Sequence, residues 1–150
     1  MANEKTYVML KPGVLERKIV GEILSRFEKK GLRIAALKLR KIPRELCEQH
    51  YAEHKDKSFF GELVNYVTGG PVVTMVIAGE EAIATVRKIC GATKPADAAP
   101  GTIRGDYGAV VTKNVIHASD SAESAAREIK LFFEIDEVID YTTGDDVFLV

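Results

Sequence analysis

No run of apolar residues in this chain approaches the ~18–20 that a membrane-spanning helix needs. Cysteine is scarce, with only Cys47 and Cys90. That excludes a disulfide-stapled small domain, reads as two reduced thiols, and makes the cytoplasm the expected compartment. The opening residues MANEKTYVMLK lack an apolar core ahead of a small-residue cleavage site, so no signal peptide is expected. Net charge is almost absent: 21 Lys and Arg face 22 Asp and Glu, for −1 overall. A generic polyanion binder is therefore not indicated. What is present is ordinary for a globular chain, with 46% hydrophobic and 29% charged residues in 150. One domain over residues 1–150 with a proper core is expected, rather than a disordered tail or a collagen-like chain.

The small total conceals an uneven distribution. Residues 1–57 carry 14 basic and 8 acidic side chains, residues 58–117 carry 5 of each, and residues 118–150 carry 2 basic against 9 acidic. Folding can interleave such segments, so solvated faces that mix in space remain an alternative to a charged cleft.

Hydrophobic periodicity supplies the element order. Tyr7-Val8-Met9-Leu10, stopped by Pro12-Gly13, reads as a strand buried on both faces. Ile19, Ile23 and Phe27 recur at helical spacing before Gly31. Leu32 to Ile42 reads as a second strand, Leu46 to Tyr51 as a short helix, and Phe59 to Val67 as another. Pro71–Ala78 (PVVTMVIA) is the most strand-like run, followed by a helix over Glu80–Cys90. Ala92–Lys113 holds Pro95, Pro100, Gly101, Gly105 and Gly108 and reads as a long loop, a kind usually functional or contact-making. A short strand at Asn114–His117 and a helix from about Ser121 to Phe133 complete the chain. With no repeat and no linker, this order packs most simply as an α+β, ferredoxin-like βαββαβ sandwich with an antiparallel sheet and extra helices.

His117 stands out chemically. It ends a short apolar run immediately before Ala118-Ser119-Asp120-Ser121, where Asp120 and Glu123 have capping-box spacing. An imidazole beside a helix N-terminus lies where unpaired N–H groups favour anions such as phosphate. Glu128, further along that helix, could reach back and hold the ring in one tautomer. The plainer alternative is a structural histidine. Upstream, Arg87, Thr93, Lys94 and Arg104 offer guanidinium forks and hydroxyls suited to phosphate, although any one arginine alone reads as a surface residue. Neither GxxxxGK[ST] nor GxGxxG occurs, so nucleotide binding would have to use scattered side chains. Cys47, His50 and His54 fall on one face of a continuous helix. They could bind zinc, or be a packed cysteine with polar surface histidines. An RNA-binding sheet is the other rival, but no RNP-type aromatic pattern is present.

The stretch Asn114-Val115-Ile116-His117-Ala118-Ser119-Asp120-Ser121 closely resembles the NxxHGSDS signature of nucleoside diphosphate kinases. Lys11-Pro12, His50-Tyr51 with His54, Phe59-Phe60, Gly70-Pro71-Val72-Val73, Thr93 and Pro100–Asp106 follow in matching order over nearly the whole chain. The resemblance implies transfer of the γ-phosphate of an NTP to an NDP or dNDP, by a ping-pong route through a phosphohistidine on His117, with broad base specificity. Glu128 and Ser119 would orient His117, and Lys11 and Asn114 would contact the sugar, with Lys11 also reaching the transferring phosphate. Arg87, Thr93 and Arg104 would hold the phosphates, with Tyr51 and His54 beside the γ-phosphate path. Phe59 would stack on the base, with Val111 on its other face. It also implies Mg²⁺, held mostly by phosphates and water, with Asp120 as protein contributor. A homo-oligomer is implied too, a hexamer in preference to a tetramer, with no membrane and no dedicated nucleic-acid partner. The competing reading is a non-catalytic nucleotide- or nucleic-acid-binding homologue. Two positions depart from the pattern: Gly13 stands where the family has Asp in KPDG, and Ala118 replaces the glycine after the histidine. The apolar end of Tyr141–Val150 is expected to dock on its own subunit or a neighbour.

Overall fold

A computed structural model describes residues 4–111 and 113–144. Strands β1 (Glu4–Leu10), β2 (Arg33–Arg40), β3 (Val72–Gly79) and β4 (Ile116–Ala118) form a single sheet in the order β2-β3-β1-β4. Every pairing is antiparallel. Helices α1 (Val20–Lys29), α2 (Arg44–His50), α3 (Phe60–Thr68), α4 (Ala82–Cys90), α5 (Ile103–Tyr107) and α6 (Ala122–Phe132) connect and cover it. This is the expected ferredoxin-like arrangement.

The sheet is buried on both sides, which is why its central strands read as unbroken apolar runs. All eight residues of β3 are buried. On β1, Val8 and Leu10 face one layer with Ile23 and Phe27 of α1 and Val86 and Cys90 of α4. Tyr7 and Met9 face the other, with Cys47 of α2, Val64 and Val67 of α3, and Phe132 of α6. Alternation along a strand then fixes where the chemistry falls. His117 pairs directly with Met9 and so shares its face, towards α2 and α6.

Three local expectations need correction. The segment 92–113 is not a bare loop. It contains a 3₁₀ turn at Pro95–Asp97 and the five-residue α5, capped where the Thr102 side chain accepts from the Gly105 N–H. A helix that short cannot show periodicity. Arg26 of α1 ties the segment down, donating to the Gly101 carbonyl at 2.9 Å and pairing with Asp106 at 2.7 Å. Helix α6 is capped by Ser121, which accepts from the Ser124 N–H at 3.1 Å, one residue later than the Asp120–Glu123 spacing suggested. Finally, α2 stops at His50 and a separate 3₁₀ turn carries His54, so Cys47, His50 and His54 do not share one helix face. Residues 145–150, the end of the expected docking tail, lie outside the described residues.

Candidate active site

The chain enters β4 through a strained turn. Val115 has φ +77°, a rare value for a β-branched residue, and the Ile116 N–H reaches back to the Asn114 carbonyl at 2.8 Å. Such a conformation costs about 1–3 kcal/mol and persists only where its surroundings over-determine it. Here the Val115 carbonyl accepts from the Lys11 N–H at 2.8 Å, and the side chain is buried. The turn aims Asn114 at one side of a cleft and presents His117 from β4 beside it.

His117 is only partly buried, and its Nε2 lies 2.9 Å from Glu128 Oε2. The other oxygen, Oε1, accepts from Ser119 Oγ at 2.5 Å, and that hydroxyl is itself set by the β1 backbone at Tyr7. Burial alone would push the Glu128 carboxyl up. Hydrogen bonds from His117 and His50 outweigh it and hold the group well below the usual carboxylate range. Ser119 therefore meets His117 through Glu128. His50 was not expected here. Rather than a polar surface histidine it is 2% exposed, with Nε2 2.8 Å from the same Glu128 oxygen. Among the described residues, His50, His117 and Glu128 are the one His/Cys/Asp/Glu group close enough to share an ion, and neither Cys47 nor His54 joins them.

Cationic groups form the adjoining wall. Arg104 is 4% exposed and donates to the carbonyls of Asn114, Gly91 and Ile116 at 3.3, 2.9 and 2.6 Å. These bonds engage three of the five N–H donors of the guanidinium, and Arg104 also lines the cleft. Gly91 sits at φ +85°, and a Cβ there would run into Thr102 Oγ1, so glycine is required at this position. Lys11 Nζ donates to Asn114 Oδ1 at 2.7 Å, and Asn114 Nδ2 donates to the Thr93 carbonyl at 3.0 Å. Burial, with Arg104 adding repulsion, lowers the Lys11 ammonium to about 7. A wall carrying that much buried positive charge is built to receive an anion.

The cleft in front has a volume of about 450 Å³. Its lining includes all the nucleotide-binding candidates, namely Lys11, His54, Phe59, Arg87, Thr93, Arg104, Val111 and Asn114, together with Tyr51, His117, Asp120 and Glu128. Phe59 is 39% exposed and lies 5.6 Å from the His54 ring, and Val111 is exposed as well. Arg87 donates to the Ala118 carbonyl at 3.2 Å. The Tyr51 hydroxyl is buried with no hydrogen-bond partner among the described residues, and burial holds its proton on, so it is a donor without an acceptor. Asp120 is exposed; hydrogen bonds led by Ser124 keep its carboxyl below the usual range.

The family model for nucleoside diphosphate kinase matches residues 4–138. The chain belongs to the nucleoside diphosphate kinase family. It is 55% identical over 143 residues to the nucleoside diphosphate kinase of Archaeoglobus fulgidus, covering 95% of each chain. It is 57% identical over 138 residues to that of Halalkalibacterium halodurans, covering 92% of this chain and 94% of the other. Among solved structures, the halophilic nucleoside diphosphate kinase from Halobacterium salinarum in complex with CDP superposes with a TM-score of 0.96 at 45% identity, covering 99% of both chains. The chain is therefore a nucleotide-binding phosphotransferase of this family, and no helix among the described residues is long and apolar enough to cross a membrane.

The two departures from the family signature are absorbed locally. Gly13 sits at φ +102°, a region favouring glycine, and its N–H is met by Glu16 Oε1 at 3.1 Å. Ala118 lies within β4, buried, outside the positive-φ region that would have demanded glycine. Two residues near His117 escaped the sequence reading of roles, His50 and Tyr7. The Tyr7 ring stacks on Phe132 at 4.6 Å and lies 5.9 Å from His117. Strand alternation carried the signal for Tyr7, since it sits two residues from Met9, the partner of His117.

Proposed function

We propose that the chain transfers the γ-phosphate of a nucleoside triphosphate to an NDP or dNDP in two half-reactions through a phosphohistidine on His117. The observation that carries this reading is the hydrogen bond from His117 Nε2 to Glu128. With its proton on Nε2, the neutral ring keeps a lone pair on Nδ1. That lone pair forms the new N–P bond as the bond from phosphorus to the leaving bridge oxygen breaks, its electron pair departing with the NDP. The ring gains positive charge, the Nε2 proton stays where it is, and ionised Glu128 stabilises the cation. The second half-reaction runs the same step in reverse with an acceptor NDP, and ping-pong kinetics follow.

Positioning and electrostatics dominate phosphoryl transfer. Arg104, Arg87 and Lys11 supply positive charge along the phosphate path, Thr93 a hydroxyl, and buried Tyr51 a donor close to the ring. Lys11 and Asn114, already bonded to each other, meet the sugar. Phe59 and Val111 clasp the base by its faces, which every base possesses, so broad specificity follows. Mg²⁺ fits the site as a partner of the nucleotide rather than a resident ion. Asp120 offers one ionised carboxylate at the cleft, and magnesium commonly takes one or two carboxylates with phosphates and water. Bound with the nucleotide, it would neutralise phosphate charge. Exposed Leu37 and Leu39 on β2, an edge strand of the sheet, support a homo-oligomer, and the choice of hexamer before tetramer rests on the family resemblance alone. The free thiols Cys47 and Cys90, both buried, agree with the cytoplasm.

Incubation with γ-labelled ATP tests the reading. The labelled protein is expected to be acid-labile and base-stable, to discharge to any added NDP, and not to form in His117→Ala. Label retained by that variant would refute the assignment.

A further inference from the structure

His50 has no part in the transfer described above, yet it is placed as closely as the residues that do. It ends α2, its ring stacks on Tyr51 at 4.2 Å, and its edge meets His117, with 4.5 Å between centroids and 86° between planes. Nε2 lies 2.8 Å from Glu128 Oε2 and 3.2 Å from His117 Nε2. Nδ1 is buried with no partner among the described residues. A neutral imidazole has one N–H to place. On Nδ1 it would be a buried donor with no acceptor, and the Nε2 lone pair would confront a carboxylate oxygen. On Nε2 it makes a bond to a charged acceptor.

We infer that His50 is a positioning residue for phosphoryl transfer: its Nε2–H pins Glu128 Oε2 against His117, so that His117 holds the Nε2–H tautomer and keeps its Nδ1 lone pair free. Glu128 is then fixed at two points, Oε1 by Ser119 and Oε2 by His50. Without the second point the carboxylate is held on one side only, and Arg127, whose guanidinium is 3.8 Å from Oε2 and half in solvent, competes for it. Burial, reinforced by His117, lowers the His50 imidazole to about 4. Near neutral pH it therefore adds a donor without adding a charge, and the negative charge of Glu128 remains available to the His117 ring.

The inference rests on His117 as the phosphate carrier, and its test separates the two. NMR of isotope-labelled wild-type protein reads which nitrogen of each histidine carries the proton, whatever the activity. Two variants accompany it: His50→Phe keeps a ring without a donor, and His50→Gln restores an amide N–H. Wild-type protein is expected to show Nε2–H on both histidines. His50→Phe should lower kcat about tenfold with KM within about twofold, and mix the tautomers of His117. His50→Gln should recover most of the kcat. A wild-type His50 protonated on Nδ1, or a His50→Phe with wild-type kcat and an unchanged His117 tautomer, would overturn the inference. So would folded Phe and Gln variants with equal losses, since packing alone would explain them. If His50→Phe does not fold, the wild-type spectrum and the Gln variant decide. Failure of wild-type protein to form a phosphoenzyme would instead overturn the role of His117.

Discussion

Lys11, Arg104, His50 and Glu128 form a wall of titratable groups almost wholly removed from water, whereas Phe59 and Val111 at the mouth of the same cleft stand in solvent. On the wall nearly every polar group is bonded at 2.5–3.3 Å, and the Lys11, His50 and Glu128 pKa values are displaced. At the mouth the contacts are ring faces and side-chain surfaces. On the proposed function, the wall is preorganised for the one group that all substrates share, the transferring phosphate. On the same proposal, the mouth holds the part in which substrates differ, and holds it by shape. An enzyme tolerant of base yet exacting about phosphate needs that division.

Removing charge from the wall should break the comparison most severely. Glu128→Gln keeps the shape but presents an amide donor that can reverse the His117 tautomer. Steady-state kcat should fall by about 10²–10⁴-fold, as for other misoriented histidines, with KM little altered.

Lys11→Met should lower kcat/KM by about 10²-fold while stabilising the fold. The folded pKa of about 7 lies below the ordinary 10.5. The penalty for burying this charge is therefore fully present only below pH 7 and fades as pH rises through 7 towards 10.5. Thermal melts should show the variant ahead of wild type at pH 7, with the margin shrinking by pH 10. A margin that grows with pH would contradict the burial account.

The mouth should yield smaller, evenly spread effects. Phe59→Ala should raise KM about tenfold for adenine, guanine, cytosine and uracil nucleotides alike, within the ~1–3 kcal/mol of a base–aromatic stack. A loss confined to one base would show that the mouth reads base edges. Val111→Ala should raise KM about twofold, again without base preference, in the same assay.

The sequence carried the fold where periods were long. The PVVTMVIA run and the i, i+4 spacing of Ile19, Ile23 and Phe27 announced β3 and α1 because burial on a sheet or helix face repeats along the chain. Helix α5 was hidden: five residues contain no repeat, and it stands through Thr102, Gly105 and the Arg26 bonds, all contacts distant in sequence or too local to pattern. Asn114 and His117 were legible because they sit in one signature, and Glu128 because it lies on the helix that follows it. His50 was not, because its value lies in meeting a carboxylate 78 residues away. In the sequence it looked like one of two histidines near the end of a short helix. Arg104 likewise passed for a possible surface arginine until three carbonyls were found around its guanidinium.

Phosphoryl transfer turns on which nitrogen of His117 is free to attack. The direct measurement is phosphorus–nitrogen NMR on the phosphoenzyme made with isotope-labelled histidine. Phosphorus bonded to Nδ1 of His117, with the proton retained on Nε2, is the predicted result. Phosphorus on Nε2, or on any other side chain, would contradict it.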